Sequence, residues 1–150
     1  MSIDWLCKHH TDLGKDQLYA ILQLRTEVFV VEQRCAYQEV DGQDLSGDTV
    51  HLMAWQDDKL VAYLRLLDPQ SQGGDVVIGR VVTAPEARGL KLVDTLLLKG
   101  LEAAEHCWPG VPVYLSAQAH LQGFYAGHGF EVVGEEYLED DIPHIGMRKG

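Results

Sequence analysis

The stretch VVIGRVVTAPEARGLKLVDTLLLKGL, from Val76 to Leu101, decides how this chain folds. Its first part, Val76 to Thr83, is nearly all apolar and predicts a central strand covered on both faces. Ala84-Pro85-Glu86-Ala87-Arg88-Gly89 interrupts that run with a proline and a glycine. From about Leu90 the period becomes helical. Leu90, Val93, Leu97, Leu101 and Ala104 share one face, and Leu92 and Leu96 widen it. Trp108-Pro109-Gly110 stops the helix. A strand that turns through a basic, glycine-containing segment into a helix is suited to binding phosphate. The first helical N–H groups have no intrahelical partners, and the helix dipole adds positive potential. Arg88 supplies a charge at the same turn, whereas Lys91 and Val93 stand where a phosphate-cradling loop favours glycine.

Working outward, Ile3 to Cys7 reads as a first strand. A helix follows from Asp16, with Leu18, Ile21, Leu22, Arg25, Val28 and Phe29 on one face, ending near Glu32-Gln33. Gln38 to Asp48 reads as a polar, acidic, solvated loop with turn signals at Asp41-Gly42 and Ser46-Gly47. Val50 to Gln56 and Leu60 to Leu67 form a hairpin around Asp57-Asp58-Lys59. Beyond the long helix come a strand at Val111 to Ala117 and a short helix at Ala119 to His128, capped by Gly129. Strands at Phe130 to Leu138 and Ile142 to Met147 complete the order. This is one mixed α/β domain, residues 1–150, with helices on the faces of a central sheet. The strands before and after the long helix should be parallel neighbours, and ligands tend to sit at the C-terminal ends of such strands.

Composition narrows the function. The net charge of −11 argues against nucleic acid as a partner, because phosphate backbones need clustered Lys and Arg. Hydrophobic residues make up 46% of 150 residues, enough for a real core, yet no apolar run is long enough to cross a bilayer. Cys7, Cys35 and Cys107 are odd in number and widely spaced, so neither a disulfide framework nor a zinc site is expected, and the compartment expected is a reducing cytoplasm. The histidines show no metal spacing. Asp41, Asp44 and Asp48 fail the calcium-loop pattern, so no metal is expected. Ser116 and His120 lack the turn of a hydrolase nucleophile. Gly123, Gly127 and Gly129 suit close packing and a helix cap better than a phosphate loop.

The element order, Pro85-Glu86-Ala87-Arg88-Gly89 before the long helix, and Phe124-Tyr125 to Gly129-Phe130 after the fifth strand resemble the GNAT superfamily of N-acetyltransferases. Its ElaA-type branch is a nearer match, through Arg25-Thr26-Glu27-Val28-Phe29-Val30-Val31-Glu32-Gln33, Tyr37, Asp41-Gly42, Ala117-Gln118-Ala119-His120-Leu121-Gln122 and Ile142-Pro143-His144-Ile145-Gly146-Met147. The resemblance implies a GNAT-like acyl-CoA N-acyltransferase fold and acetyl-CoA as co-substrate. The family's pyrophosphate pattern, Arg/Gln-x-x-Gly-x-Gly/Ala, falls on Arg88, Gly89, Leu90, Lys91, Leu92 and Val93; the leading arginine matches and the two later glycine positions do not. The family also implies pairing of the pantetheine arm with the main chain of Val81, Val82 and Thr83. Tyr125 matches the tyrosine that protonates the departing thiolate, and Gln118 stands where many members have asparagine.

The acceptor amine needs a base as well, and none is marked. Glu27, Glu32 and His51 are candidates by type, with His144 behind them, and a water chain is the alternative. The function expected is acetyl transfer to a primary amine of a small molecule or protein by direct attack in a ternary complex. The alternative is a non-catalytic CoA- or acyl-CoA-binding module acting as a sensor. The acidic loop with Asp41 and Asp44 is expected to border the acceptor site and attract a cation. Exposed strand edges at either end of the sheet offer a route to a homodimer.

Overall fold

The computed structural model describes residues 2–150. Seven strands form one sheet: β1 (Asp4–His9), β2 (Val50–Gln56), β3 (Lys59–Leu67), β4 (Val76–Thr83), β5 (Val113–Gln118), β6 (Glu131–Glu139) and β7 (Ile142–Lys149). Their order is β1-β2-β3-β4-β5-β7-β6. Every neighbouring pair is antiparallel except β4 and β5, which are parallel as the crossover through the long helix requires. The helices are α1 (Lys15–Arg25), α2 (Leu92–Cys107) and α3 (Gln122–Ala126).

Strand β3 shows why the sheet is central. Every residue from Leu60 to Leu67 is buried, so both of its faces are covered. On one face Leu64 packs against α2 at Gly100, where an added Cβ would lie 3.0 Å from a Leu64 methyl. Its neighbours Tyr63 and Arg65 point the other way, toward Arg25 at the end of α1 and the loop that follows. Helix α2 buries Leu92, Leu96, Leu97, Gly100 and Ala104; of the expected face only Leu97 and Ala104 are buried, Val93 and Leu101 are partly buried and Leu90 is exposed, so the stripe is turned toward Leu92 and Leu96. At the far edge β6 is exposed along its whole length and carries Glu131, Glu135, Glu136 and Glu139. Such a row of like charges discourages pairing with a second copy at this edge.

Three boundaries differ from the sequence expectation, each for a local reason. The helix expected from Asp16 to Glu32 is α-helical only to Arg25; Thr26–Glu32 is a π-helical turn, with Gln33 N–H donating to the Val28 carbonyl at 3.0 Å. The Thr26 hydroxyl donates to the Leu22 carbonyl at 2.7 Å, a back-bond that loosens a helix where it occurs. Helix α2 starts at Leu92 rather than Leu90, because Pro85–Leu90 forms a 3₁₀ helix and Lys91 turns left-handed with φ of 54°. The short helix after β5 divides into a 3₁₀ turn, Ala119–Leu121, and α3, with Gly129 at φ of 91° just beyond.

Because Gly100 leaves no room over Leu64, Gly100→Leu should destabilise the fold by about 1–3 kcal/mol through overpacking. Urea denaturation reads this directly; an unchanged midpoint would show that α2 can shift away from β3.

Candidate active site

The site begins with a failure of pairing. Strands β4 and β5 pair only at Val76 with Val113 and Val77 with Tyr114. Beyond that, β4 keeps its partner β3 on one side and has none on the other. The cause lies in β4 itself. Arg80 takes a positive φ of 54°, and Arg80 and Val81 together oppose the single residue Leu64, which makes a β-bulge. A bulge of this kind bends its strand and increases the local twist.

A cavity of about 610 Å³ fills the opening. Val81, Val82, Thr83, Arg88, Gln118 and Tyr125 all line it, together with Val28 and Phe29 from the π-helical turn. A second groove, about 650 Å³, runs between β1 and the end of α2 past Trp5, Cys7, Lys99 and Trp108, and none of the expected residues borders it. The 610 Å³ cavity is therefore the candidate site.

Tyr125 is 7% exposed, and burial raises its pKa, which keeps the hydroxyl protonated. Its ring meets Phe124 and Phe130 edge-on, and these contacts fix its direction. Arg88 sits at the cavity's edge, where its guanidinium forms a two-pronged ion pair with Glu32, at 2.5 and 3.1 Å. That hydrogen bond lowers the Glu32 pKa and so makes Glu32 a poorer base. Gly89, Leu90, Lys91, Leu92 and Val93 build the turn next to Arg88 and lie outside the cavity wall. The Leu92 side chain joins the core, so only its main chain faces outward. Lys91 caps α2 without a side-chain hydrogen bond, leaving the first N–H groups of the helix open. The two departures from glycine thus differ. Lys91 holds a backbone conformation that glycine adopts at little cost, whereas Val93 is already helical.

His51 lies elsewhere. It is fully buried outside the cavity, with Nδ1 2.6 Å from the Tyr63 hydroxyl and Nε2 2.8 Å from the Asp44 carbonyl. A carbonyl can only accept, so Nε2 carries the proton and Nδ1 accepts from Tyr63. Burial pushes its pKa down and holds the ring neutral. Glu32 and Glu27 are not in the cavity wall either, and of the base candidates His144 alone borders it.

The acidic loop is solvated only in part, with Asp48 exposed. Glu39 and Asp44 are buried, and Asp41 sits in the cavity floor. Arg25 binds Glu39 at 2.5 Å and Asp44 at 2.6 Å; Arg65 binds Asp44 at 3.0 Å and Asp41 at 2.6 Å; Arg80 binds Asp41 at 3.3 Å and Glu39 at 2.8 Å. The three arginines and three carboxylates close a ring in which each group touches two of the opposite sign. The loop does border the cavity, but its carboxylates are already neutralised and do not attract a cation. Burial alone would raise the Asp41 pKa; hydrogen bonds and charge from Arg65 outweigh it and bring the value down to about 2. Sequence reading passed over Arg65 and Arg80. The signal was present as a lone arginine in each of two otherwise apolar strands, and Arg25 on the apolar stripe of α1 was a third.

A family model for the "Acetyltransferase (GNAT) domain" matches residues 10–150. The chain belongs to the GNAT acetyltransferase family. The GNAT chain is 53% identical to protein ElaA of Escherichia coli over 147 residues, which cover 98% of this chain and 96% of that one. The crystal structure of Escherichia coli ElaA superposes with a TM-score of 0.93 at 52% identity, covering 98% of this chain and 99% of the other. An acyl-CoA N-acyltransferase from Pseudomonas aeruginosa superposes with a TM-score of 0.98 at 65% identity, covering 99% and 100%. The seven-stranded mixed sheet is thus the GNAT fold, and the chain is an enzyme of the N-acyltransferase class. Among the described residues no helix is long and apolar enough to cross a membrane.

Removing one member of the ring strands two buried arginines. Asp44→Ala should cost about 3–5 kcal/mol, whereas breaking the exposed Arg148–Asp75 pair with Asp75→Ala should cost about 0–1 kcal/mol. Equal losses in chemical denaturation would show that the ring is not a unit. The neutral His51 gives stability a pH dependence. Its folded pKa lies below the ordinary 6.5, so the unfolded chain takes up the proton first and stability falls as the pH drops below that value. The slope should approach 1.4 kcal/mol per pH unit at most (about one proton), and His51→Gln should flatten it between pH 7.5 and 5.5.

Proposed function

We propose that this GNAT enzyme transfers an acetyl group from acetyl-CoA to a primary amine of a small molecule or protein, by direct attack within a ternary complex. The observation that carries this reading is the gap between β4 and β5, with Tyr125 on one wall and the unpaired edge of Val81, Val82 and Thr83 on the other. An exposed strand edge offers alternating N–H and C=O groups, which suits the amide-bearing pantetheine arm. The open N–H groups of α2, with Arg88 and Lys91 beside them, suit a pyrophosphate. Gln118 adds an amide at the end of β5. The name of the Pseudomonas aeruginosa neighbour, an acyl-CoA N-acyltransferase, points the same way.

The chemistry follows from the groups present. The amine nitrogen attacks the thioester carbonyl, the nitrogen–carbon bond forms, and the carbon–sulfur bond breaks. The departing sulfur needs a proton, and Tyr125 is a buried, protonated phenol in the same cavity.

Acetyl-CoA should raise the thermal midpoint of the protein, and primary amines should then release free thiol from it. Tyr125→Phe should keep the thermal shift and lower kcat by about a hundredfold. A shift without amine-dependent thiol release would favour a CoA-binding sensor instead, and loss of the shift in Tyr125→Phe would move the tyrosine from catalysis to binding.

A further inference from the structure

We propose that His144, partnered by Glu139, is the base that takes the proton from the acceptor amine; the inference rests on the acyl-transfer reading above. His144 lies on β7 directly across the ladder from Gln118, the last residue of β5, and opposite Tyr137 of β6. It is the one histidine in the cavity wall that also holds Tyr125. The proton acceptor and the proton donor of the reaction thus share one chamber.

The ring is set for that task. Its Nδ1 is 2.7 Å from the main-chain carbonyl of Ile142. The carbonyl cannot donate, so Nδ1 carries the hydrogen and the basic lone pair sits on Nε2. Nε2 lies 3.4 Å from a Glu139 carboxylate oxygen. A carboxylate at that position can accept a hydrogen bond from Nε2 once the transferred proton sits there. The His144 ring is 8% exposed and the Glu139 carboxylate is half exposed, so the pair lies where the cavity wall meets solvent.

Charge around the cavity supports the same assignment. Asp41 is held by Arg65 and Arg80, and Arg88 is held by Glu32. Glu139, the last residue of β6, and Asp140, on the turn that follows, also line the cavity, and no arginine binds them among the described residues. The unopposed charge facing the chamber is negative and adjoins His144. An acceptor that arrives as a protonated amine is drawn to that side.

The protons balance. A protonated acceptor first yields one proton to Nε2 of His144, which passes it on to solvent. As the nitrogen bonds to the carbonyl carbon, its second proton is released to solvent. Tyr125 protonates the leaving sulfur and regains a proton from solvent. The sum is ammonium plus thioester giving amide, thiol and one released proton, with the enzyme unchanged.

Three measurements test the assignment on the full chain. First, long-range ¹H–¹⁵N spectra of the histidine-labelled protein should show His144 as the Nδ1–H tautomer; an Nε2–H tautomer overturns the proposal whether or not an acceptor is turned over. Second, His144→Gln should keep the acetyl-CoA thermal shift and lower kcat by about a hundredfold with spermidine, lysine or ethanolamine as acceptor. A kcat within twofold of wild type, or a loss confined to KM, overturns it. Third, the deficit should shrink as the pH rises and solvent supplies more free amine, while Glu139→Gln gives a smaller loss with the same pH trend. Tyr137 of β6 lies against the His144 ring, and Tyr114 of β5, Tyr125 of α3, Cys35 and Asp140 share its cavity wall, so Tyr137→Phe serves as the control and should leave the acidic limb of the kcat profile in place. A deficit that is the same at every pH overturns the base role. A wild-type protein that neither shifts with acetyl-CoA nor releases thiol defeats the acyl-transfer reading itself; an active wild type with an equally active His144→Gln defeats only the present inference.

Discussion

The ring of Arg25, Glu39, Arg80, Asp41, Arg65 and Asp44 is the constraint on which the rest of this structure depends. It joins the end of α1, two strands of the sheet and the loop between α1 and β2. Burying four charges and partly burying two more is costly, and a ring in which each charge meets two of the opposite sign is one of the few ways to offset that cost. It gains little net stability over an apolar core. What it supplies is position, because a guanidinium fork accepts partners in few orientations. Tyr37, whose hydroxyl donates to Glu39 at 2.6 Å, extends the same lattice to the cavity wall.

Position matters because of Arg80. Its backbone takes the left-handed conformation at the bulge, and its side chain is locked into the ring. Strain of this kind persists only where the surroundings over-determine it. The bulge bends β4, the bend ends its pairing with β5 after two residues, and the ended pairing opens the chamber that holds Tyr125 and His144. A network that looks purely structural therefore sets the geometry of the reaction site. The π-helical turn contributes from above by turning Val28 and Phe29 into the same chamber, and π-turns are common where a helix borders a functional site.

Much of the fold was legible because it rests on local signals. The apolar run at Val76 to Thr83, the helical stripe from Leu92 to Ala104 and the hairpin at Asp57 each declare themselves within a short window of residues. Tyr125, Val81 to Thr83, Arg88 and Gln118 came through family resemblance, and all of them border the cavity. The proposed base was less legible. His51 was conspicuous as a histidine on a strand, yet the side chain points into the core and both nitrogens are occupied. His144 looked the lesser candidate, because the role proposed for it depends on a carbonyl two residues away and a carboxylate from the neighbouring strand. The acidic loop misled for a similar reason: charged residues that are usually solvated are here matched by arginines 14 to 41 residues away.

By itself, then, the sequence determined the order and kind of the elements, the central place of β4, the parallel crossover and the family. These follow from periodicity, from turn residues and from short motifs, all of which act over a few residues. The tertiary structure alone decided which charges are buried, where β4 parts from β5, and which histidine reaches the chamber. Those outcomes turn on contacts between residues far apart in the chain and on a single left-handed residue, Arg80, whose conformation nothing in its own neighbourhood demands. Only the closing of the arginine–carboxylate ring makes that conformation worth its strain.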